Sequence, residues 1–470
     1  MDLDNQKASS KQSLSFYGGI IGALLPFIVF VTGVIIVALS GAPDEKGFWP
    51  ILILALALGL FLAKDKHAFS ETVIEGMSQK IVMIMIMAWL LASIIGVLMT
   101  VTGFVEALTW VIGKMQMGGV GFVVTTFIIC AVVSLSTGSS FATILICGPI
   151  LYPAGGLAGA HLATLAGAII GGATFGDFIA PISDTTIASA LSQKAKIGVT
   201  VRTRLKYILP ATLLALIAYI ISATINSTPV AYNSHQIAGD PKGLPMLIVP
   251  VVIIILFLKG KHLVYGLLTG LVIGVVIGLS FGLLPIDKLF ALDLENISAT
   301  SFIIDGINRA VGISFFTILL MGLVATLKSS GVIQKLVDFA SERSKTKKQA
   351  EGWISGTVGA AVLLTTHSIV AILMVSEFAN KTGEKSNIHP IRRANILSLT
   401  TCVFPFLLPY FIPTILVANT TASGKEYGIP SVAPLEAGMY NFVAWALLSI
   451  LILVIFFGFG RKTDTDNAKK

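Results

Sequence analysis

The sequence predicts an all-α polytopic membrane protein of two inverted repeats, each of about five transmembrane helices plus a hairpin, with broken helices at the midplane. Three observations predict it. Of 470 residues, 55% are hydrophobic and 12% charged, with a mean hydropathy of +0.89; a soluble domain carries about 25% charged residues. Ten apolar runs approach the ~20 residues that cross a hydrocarbon core. Two further apolar stretches, 118–153 and 351–378, are each interrupted near the middle by small polar residues.

The charges order these elements. Residues 1–16 form a polar tail whose Lys7 and Lys11 place it inside, because short cytoplasmic segments carry the excess of Lys and Arg. The run 17–40 is too long for a signal peptide and reads as a retained first helix. The run 48–63 returns the chain to Lys64 and Lys66, and 80–102 leads out again. The next basic cluster, Lys194, Lys196, Arg202, Arg204 and Lys206, belongs inside, and 160–180 alone returns there. The stretch 118–153 therefore enters and leaves on the outer face, as a re-entrant hairpin or as a pair of spans. The run 204–226 ends at an external linker, 227–243.

The second half repeats this logic upside down. The spans 244–258 and 262–282 flank Lys259 and Lys261, and 306–328 comes back in. Basic residues lie on both sides of 351–378: Lys335, Arg343, Lys345, Lys347 and Lys348 before it, Lys381, Lys385, Arg392 and Arg393 after it. At 28 residues it fits an inner hairpin better than two spans. A broken span at 395–419 and a last one at 437–460 lead to a basic tail, 461–470, also inside. Five crossings per half is odd, so the halves are inverted. The expected division is a first half, 17–226, with scaffold helices 17–63 and hairpin and core helices 80–226. The second half, 244–460, has scaffold helices 244–282 and hairpin and core helices 306–460.

Weak internal similarity follows the same register. Thr137-Gly138-Ser139-Ser140 aligns with Thr365-Thr366-His367-Ser368, and Ser183-Asp184-Thr185-Thr186 with Ser398-Leu399-Thr400-Thr401. Inverted repeats with interrupted helices mark secondary transporters.

Non-helical backbone at membrane depth survives only where protein or a water-filled cavity covers it. Four such places are expected: Ser134–Ser140, Gly171–Thr186, Thr365–Ser368 and Pro405–Pro413. Asp177 and Asp184 sit in an otherwise apolar stretch that Pro181 breaks. A carboxylate there costs about 2.5–3.5 kcal/mol on insertion scales, so it is a functional candidate by default. Beside hydroxyls it makes a hard-cation site, with Asp184, Ser183 and Thr186 as Na+ ligands and Thr185 adding an oxygen. Burial disfavours the charged form of a carboxyl, which lets H+ compete with Na+. The plainer reading is that either acid caps a half-helix.

Thr137, Ser139 and Ser140 at one hairpin, and Thr366, His367 and Ser368 at the other, are expected to close the site. His367 is either a titrating or binding group or a structural one. Asn395 and Ser398 on the second broken span are candidate ligands. Glu377 reads as an interfacial charge, Asp305 and Arg309 as boundary residues, and Met83–Met87 as packing. Cys130, Cys147 and Cys402 lie far apart in apolar runs, like small buried hydrophobes. With no phosphate-binding loop and no nucleophile–base pair, ATP-driven pumping and enzyme chemistry are disfavoured.

The string Gly176-Asp177-x3-Pro181-x-Ser183-Asp184-Thr185-Thr186 resembles the signature of the NhaC-type sodium/proton antiporter family of the ion transporter superfamily. Thr137-Gly138-Ser139-Ser140 is similar to that family's small-polar motif. The resemblance covers roughly 15–460. It implies Na+ or H+ coupling, no cofactor, an elevator-like motion and a homodimer. Phe178 and Ala180 stand where more polar residues are common.

The leading expectation is therefore a cation-coupled secondary active transporter, most simply a Na+/H+ antiporter working by alternating access. The alternative on the same fold is a Na+- or H+-coupled carrier of an amino acid or small organic acid. A channel lacks a continuous polar pore, and an intramembrane acid-pair enzyme would place its acids on two helices. The expected partners are the lipid bilayer, a small cation and a small organic solute, with no nucleic acid. The expected location is a prokaryotic cell membrane, multi-pass, with both termini inside.

Overall fold

The computed structural model describes residues 14–40, 45–114, 118–181, 183–226, 240–259, 261–293, 298–344 and 346–461. Most of the expected N-terminal tail, linker residues 227–239 and tail residues 462–470 lie outside the described residues.

The first half runs α1 (Ile20–Leu39), α2 (Trp49–Leu62), α3 (Lys66–Met77), α4 (Lys80–Val101), α5 (Phe104–Lys114), α6 (Gly119–Thr137), α7 (Ser140–Leu157), α8 (Leu162–Ile179), α9 (Asp184–Ser192) and α10 (Ile197–Asn226). A 3₁₀ segment, Pro241–Leu247, then leads to α11 (Ile248–Leu258), α12 (Leu263–Ser280) and α13 (Ile286–Leu289). A small antiparallel ladder, β1 (Ala291–Asp293) on β2 (Ser298–Thr300), pairs Leu292 with Ala299. The remainder runs α14 (Phe302–Ser329), α15 (Val332–Arg343), α16 (Lys347–Thr365), α17 (Ser368–Lys385), α18 (Pro390–Thr401), α19 (Ile412–Thr421), α20 (Pro434–Met439) and α21 (Phe442–Phe457). Among the described residues, seven helical segments are long and apolar enough to cross a membrane, and four shorter apolar helices accompany them. The chain is an all-α polytopic membrane protein.

Burial separates inner from outer helices. On α10 the side chains of Leu209, Leu213, Ile217 and Ile220 are exposed, and on α12 those of Leu268, Val272 and Val276. Water would penalise such faces; hydrocarbon accommodates them. α7 and α8 are instead enclosed almost entirely by protein. α8 can sit against α6 because Gly172 and Gly176 line their contact. A Cβ on Gly172 would come within 2.5 Å of the Cys130 Cβ, and one on Gly176 would collide with Ser134. Small residues four apart allow this approach, and the main gain in lipid is close packing. The Ser134 hydroxyl donates to the Ala173 carbonyl at 2.8 Å across the same seam.

Several details differ from the sequence reading. The span 244–258 is split, because Pro241 and Pro245 hold Pro241–Leu247 as a 3₁₀ segment before α11. α10 begins at Ile197, seven residues earlier than read from hydropathy, since its first three turns carry Arg202, Arg204 and Lys206. The short helices α3, α5 and α15 fill stretches read as connections. Three of the arginines read as topology signals are not loop residues: Arg204, Arg392 and Arg393 are buried inside helices. Arg392 forks onto Glu351, with Nε–Oε1 and Nη2–Oε2 both 3.1 Å, and also donates to Tyr207 Oη at 3.0 Å. Arg461 donates to Glu351 Oε2 at 2.8 Å. This buried knot ties α16, α18, α10 and the end of α21 together.

Candidate functional site

Both hairpins turn in the same way. α6 ends on Gly138 (φ 66°, ψ 18°) and α7 is capped by Ser139 (φ −137°, ψ 115°). α16 ends on Thr366 (φ 53°, ψ 12°) and α17 is capped by His367 (φ −135°, ψ 114°). The left-handed position is cheap for Gly138 and costs Thr366 of order 1 kcal/mol. Thr366 is held there by its hydroxyl, which donates to the Thr365 carbonyl at 2.7 Å. In the first turn the Ser139 hydroxyl accepts from Ala142 N at 3.2 Å, and Thr137 Oγ1 accepts from Ser139 N at 3.3 Å. Ser368 Oγ donates to the Thr401 carbonyl at 3.1 Å, fastening the second tip to the end of α18.

Two helices are broken as expected. Pro181 has no N–H to continue α8, and α9 restarts with Ser183 as its N-cap and Asp184 in its first turn. α18 ends at Thr401, a 3₁₀ turn spans Phe404–Phe406, and α19 restarts at Ile412 with Pro413 in its first turn. Ser183–Thr186 thus opens the helix after its break, whereas Ser398–Thr401 closes the helix before its break. The sequence similarity paired residues from opposite sides of the two interruptions.

All four interruptions meet. One cavity of about 80 Å³ is lined by Ser139 and Ser140 from the first tip, and by Thr366, His367 and Ser368 from the second. Asp177, Asp184 and Thr185 come from the first broken helix, and Pro405 and Pro413 from the second. The space holds a few water-sized groups. Asp177 is buried and tethered: Ser183 Oγ donates to Oδ1 at 2.7 Å and Ser140 Oγ to Oδ2 at 3.4 Å. Ser183 and Thr185 share a hydroxyl–hydroxyl bond of 2.9 Å. Asp184 is more exposed, and no hydrogen bond reaches its carboxylate from the described residues. His367 Nδ1 is buried and finds no partner among them. The chemistry available is two carboxylates, several hydroxyls and an imidazole around a small cavity, reached by the first turns of α7 and α17.

Of the sequence candidates, Thr137, Ser183, Thr186, Asn395 and Ser398 are not among the residues lining this cavity, and the last three sit behind it. The hydroxyl of Thr186 accepts from Arg204 Nη1 at 2.7 Å. The side chain of Asn395 accepts from Arg204 Nε at 3.3 Å and donates to Thr203 Oγ1 at 2.8 Å. Ser398 is buried within α18. Arg204 itself was missed. Its guanidinium also donates to the Phe178 carbonyl at 2.8 Å and to Ser189 Oγ at 2.9 Å, and it lies 5.3 Å from the Phe178 ring centroid. It was hidden in a basic cluster. The available signal was its spacing: two helical positions rotate a side chain by about 200°, so Arg202 and Arg204 cannot both face water.

Fold and site together define a polytopic helical membrane protein with a polar cavity at the junction of two hairpin tips and two broken helices. Residues 20–225 match the model of the Na+/H+ antiporter family. The chain is 34% identical over 135 residues to the Na+/H+ antiporter NhaC of Alkalihalophilus pseudofirmus, covering 29% of each chain. It is 35% identical over 98 residues to the malate-2H+/Na+-lactate antiporter of Bacillus subtilis, covering 21% of each. The matched stretch thus spans less than a third of either relative's length. A solved structure, titled for Neisseria gonorrhoeae MtrF and a class of antimetabolite efflux pumps, covers 93% of this chain and 95% of its own, at a TM-score of 0.40 and 14% identity.

Proposed function

We propose that this protein is a cation-coupled secondary active transporter that exchanges Na+ for H+ by alternating access. The observation that supports this most is the single cavity that all four helix interruptions line, with Asp177 and Asp184 at its wall. Asp184 binds Na+ or H+ in competition, because it lines the cavity with no hydrogen bond from the described residues. Asp177 is the buried partner, held by hydrogen bonds from Ser183 and Ser140. Thr185, Ser139 and Ser140 add oxygens, which suit a hard cation. The match of residues 20–225 to an antiporter family supports the same reading. In it the halves are inverted, both termini face the cytoplasm of a prokaryotic cell, the chain pairs as a homodimer, and no enzymatic step occurs.

The test is reconstitution in liposomes with an acid interior and an internal pH reporter, with Na+ added outside. Wild type collapses the gradient on Na+ addition, and Asp184→Asn does not. A gradient indifferent to Na+ in wild type contradicts simple exchange.

A second reading keeps the fold and changes the cargo to a small organic acid or amino acid. His367 and the first turns of α7 and α17 favour it, because helix N-termini attract carboxylates. A relative whose name includes malate and lactate agrees with it. Stabilisation of the purified protein by malate, lactate or an amino acid in a melting assay is its signature. A melting point unmoved by any of them rejects it.

A further inference from the structure

We infer that Asn441 is a positioning residue of the cation site: its carboxamide bridges the two broken helices, sets the width of the cavity between them and so sets how strongly Na+ is preferred over K+. The inference rests on the exchange reading above and deepens it.

Asn441 stands between α20 and α21 and is fully buried. Its Oδ1 accepts from Ala444 N at 3.3 Å and caps α21. Capping needs only an acceptor, which Ser, Thr or Asp would supply as well. The two amide donors are surplus to that task, and both are used elsewhere. Nδ2 donates to Thr174 Oγ1 on α8 at 3.1 Å and to the Phe406 carbonyl at 3.1 Å. Thr174 Oγ1 donates its own proton to the Ile170 carbonyl at 2.7 Å, which leaves it an acceptor toward Asn441. A carboxamide offers one acceptor and two donors together, so the residue type matches all three partners.

The two bridged partners belong to different interruptions. Thr174 precedes Asp177 by three residues, about one turn, on the helix that Pro181 ends. Phe406 closes the 3₁₀ turn of the second break, and with Pro405 it lines the same cavity as Asp177. Backbone at such a break has left the helical ladder, so its carbonyls need donors from other elements. One carboxamide thereby fixes the first broken helix against the second. α8 comes close on this side: a Cβ on Gly171 would lie 3.2 Å from Asn441 Oδ1. The cavity measures about 80 Å³, and selection between cations follows from cavity size, ligand number and ligand flexibility. Loosening the bridge lets the walls separate, which admits a larger cation and holds a smaller one less well.

The test reads exchange in liposomes with an acid interior and an internal pH reporter, with Na+ or K+ added outside over a range of concentrations. Wild type is expected to need far more K+ than Na+ for half-maximal exchange. Asn441→Ser keeps the cap and is too short to reach Thr174 or Phe406, and it reduces the K+-to-Na+ ratio about tenfold, the weight of one buried hydrogen bond. Thr174→Val keeps the volume and removes one acceptor, so it reduces the ratio by less; it carries the test should Asn441→Ser not fold. Tyr152→Phe removes a buried hydroxyl bond to the Pro430 carbonyl, away from the cavity, and leaves the ratio unmoved. An active Asn441→Ser or Thr174→Val with the wild-type ratio, a Tyr152→Phe ratio that falls as far, or a wild type that exchanges Na+ and K+ alike overturns the inference and leaves Asn441 a helix cap. A wild type inert to Na+ overturns the exchange reading beneath it.

Discussion

The hydroxyl of Ser183 donates to Oδ1 of Asp177 at 2.7 Å, across the gap where Pro181 ends one helix and before the next begins. Helix geometry would not bring the two together; the break does. The bond is charge-assisted when Asp177 is ionised, and such bonds are worth about 1.5–3 kcal/mol. Ser183→Ala is therefore expected to weaken Na+ binding roughly tenfold or more, read as the Na+ concentration for half-maximal exchange. Ser183→Thr keeps the hydroxyl and retains most of the affinity.

The seam between α6 and α8 is as tight as backbone allows at Gly172 and Gly176. Gly176→Leu pushes α8 away from Ser134 and carries Asp177 with it. Overpacking costs about 1–3 kcal/mol or more, so the detergent-solubilised variant melts at a clearly lower temperature and transports poorly. Gly352→Ala is the control, since a Cβ there meets only Ile455 at 3.7 Å, and it melts like wild type.

Glu351 is fully buried between two arginines. Removing one partner of a buried pair costs about 3–5 kcal/mol, because the charge left behind is uncompensated. Glu351→Ala is expected to lower the melting temperature strongly. Arg461→Ala, at a side chain 37% exposed, lowers it less. Equal losses in the two variants would argue against the knot as drawn.

The exposed pair Glu377–Lys381, with Nζ–Oε1 at 2.6 Å, lies one turn apart on α17. The neighbouring lysine holds the Glu377 carboxyl below its usual range. Glu377→Gln is expected to change neither the Na+ dependence nor the pH profile of exchange. A loss of transport there would move the site toward α17.

Much of the site was legible in the sequence. Small polar residues and prolines inside apolar runs are expensive in lipid, and that cost exposed all four interruptions, including the tips at Gly138–Ser140 and Thr366–Ser368. Asp177 and Asp184 stood out for the same reason. What stayed hidden depends on facing rather than composition. Thr186 and Asn395 have the right chemistry for ligands, yet their helices turn them toward Arg204. Ser398 matched a motif by residue type and sits on the other side of a break. Arg204, Arg392 and Arg393 were counted as loop charges because the positive-inside rule weighs number and not burial. The helices α3, α5 and α15 escaped because they are short and only partly apolar.

The central claim is that one cavity offers the same carboxylates to Na+ and to H+. The most direct measurement adds NaCl to the purified, weakly buffered protein and follows the pH of the solution, with choline chloride as the control and the Asp177→Asn/Asp184→Asn double variant beside it. Wild type is expected to release protons on Na+ addition, saturably and more at mildly acidic pH than at alkaline pH, and the double variant to release none. Na+ binding without proton release, or equal release from the double variant, would contradict the account.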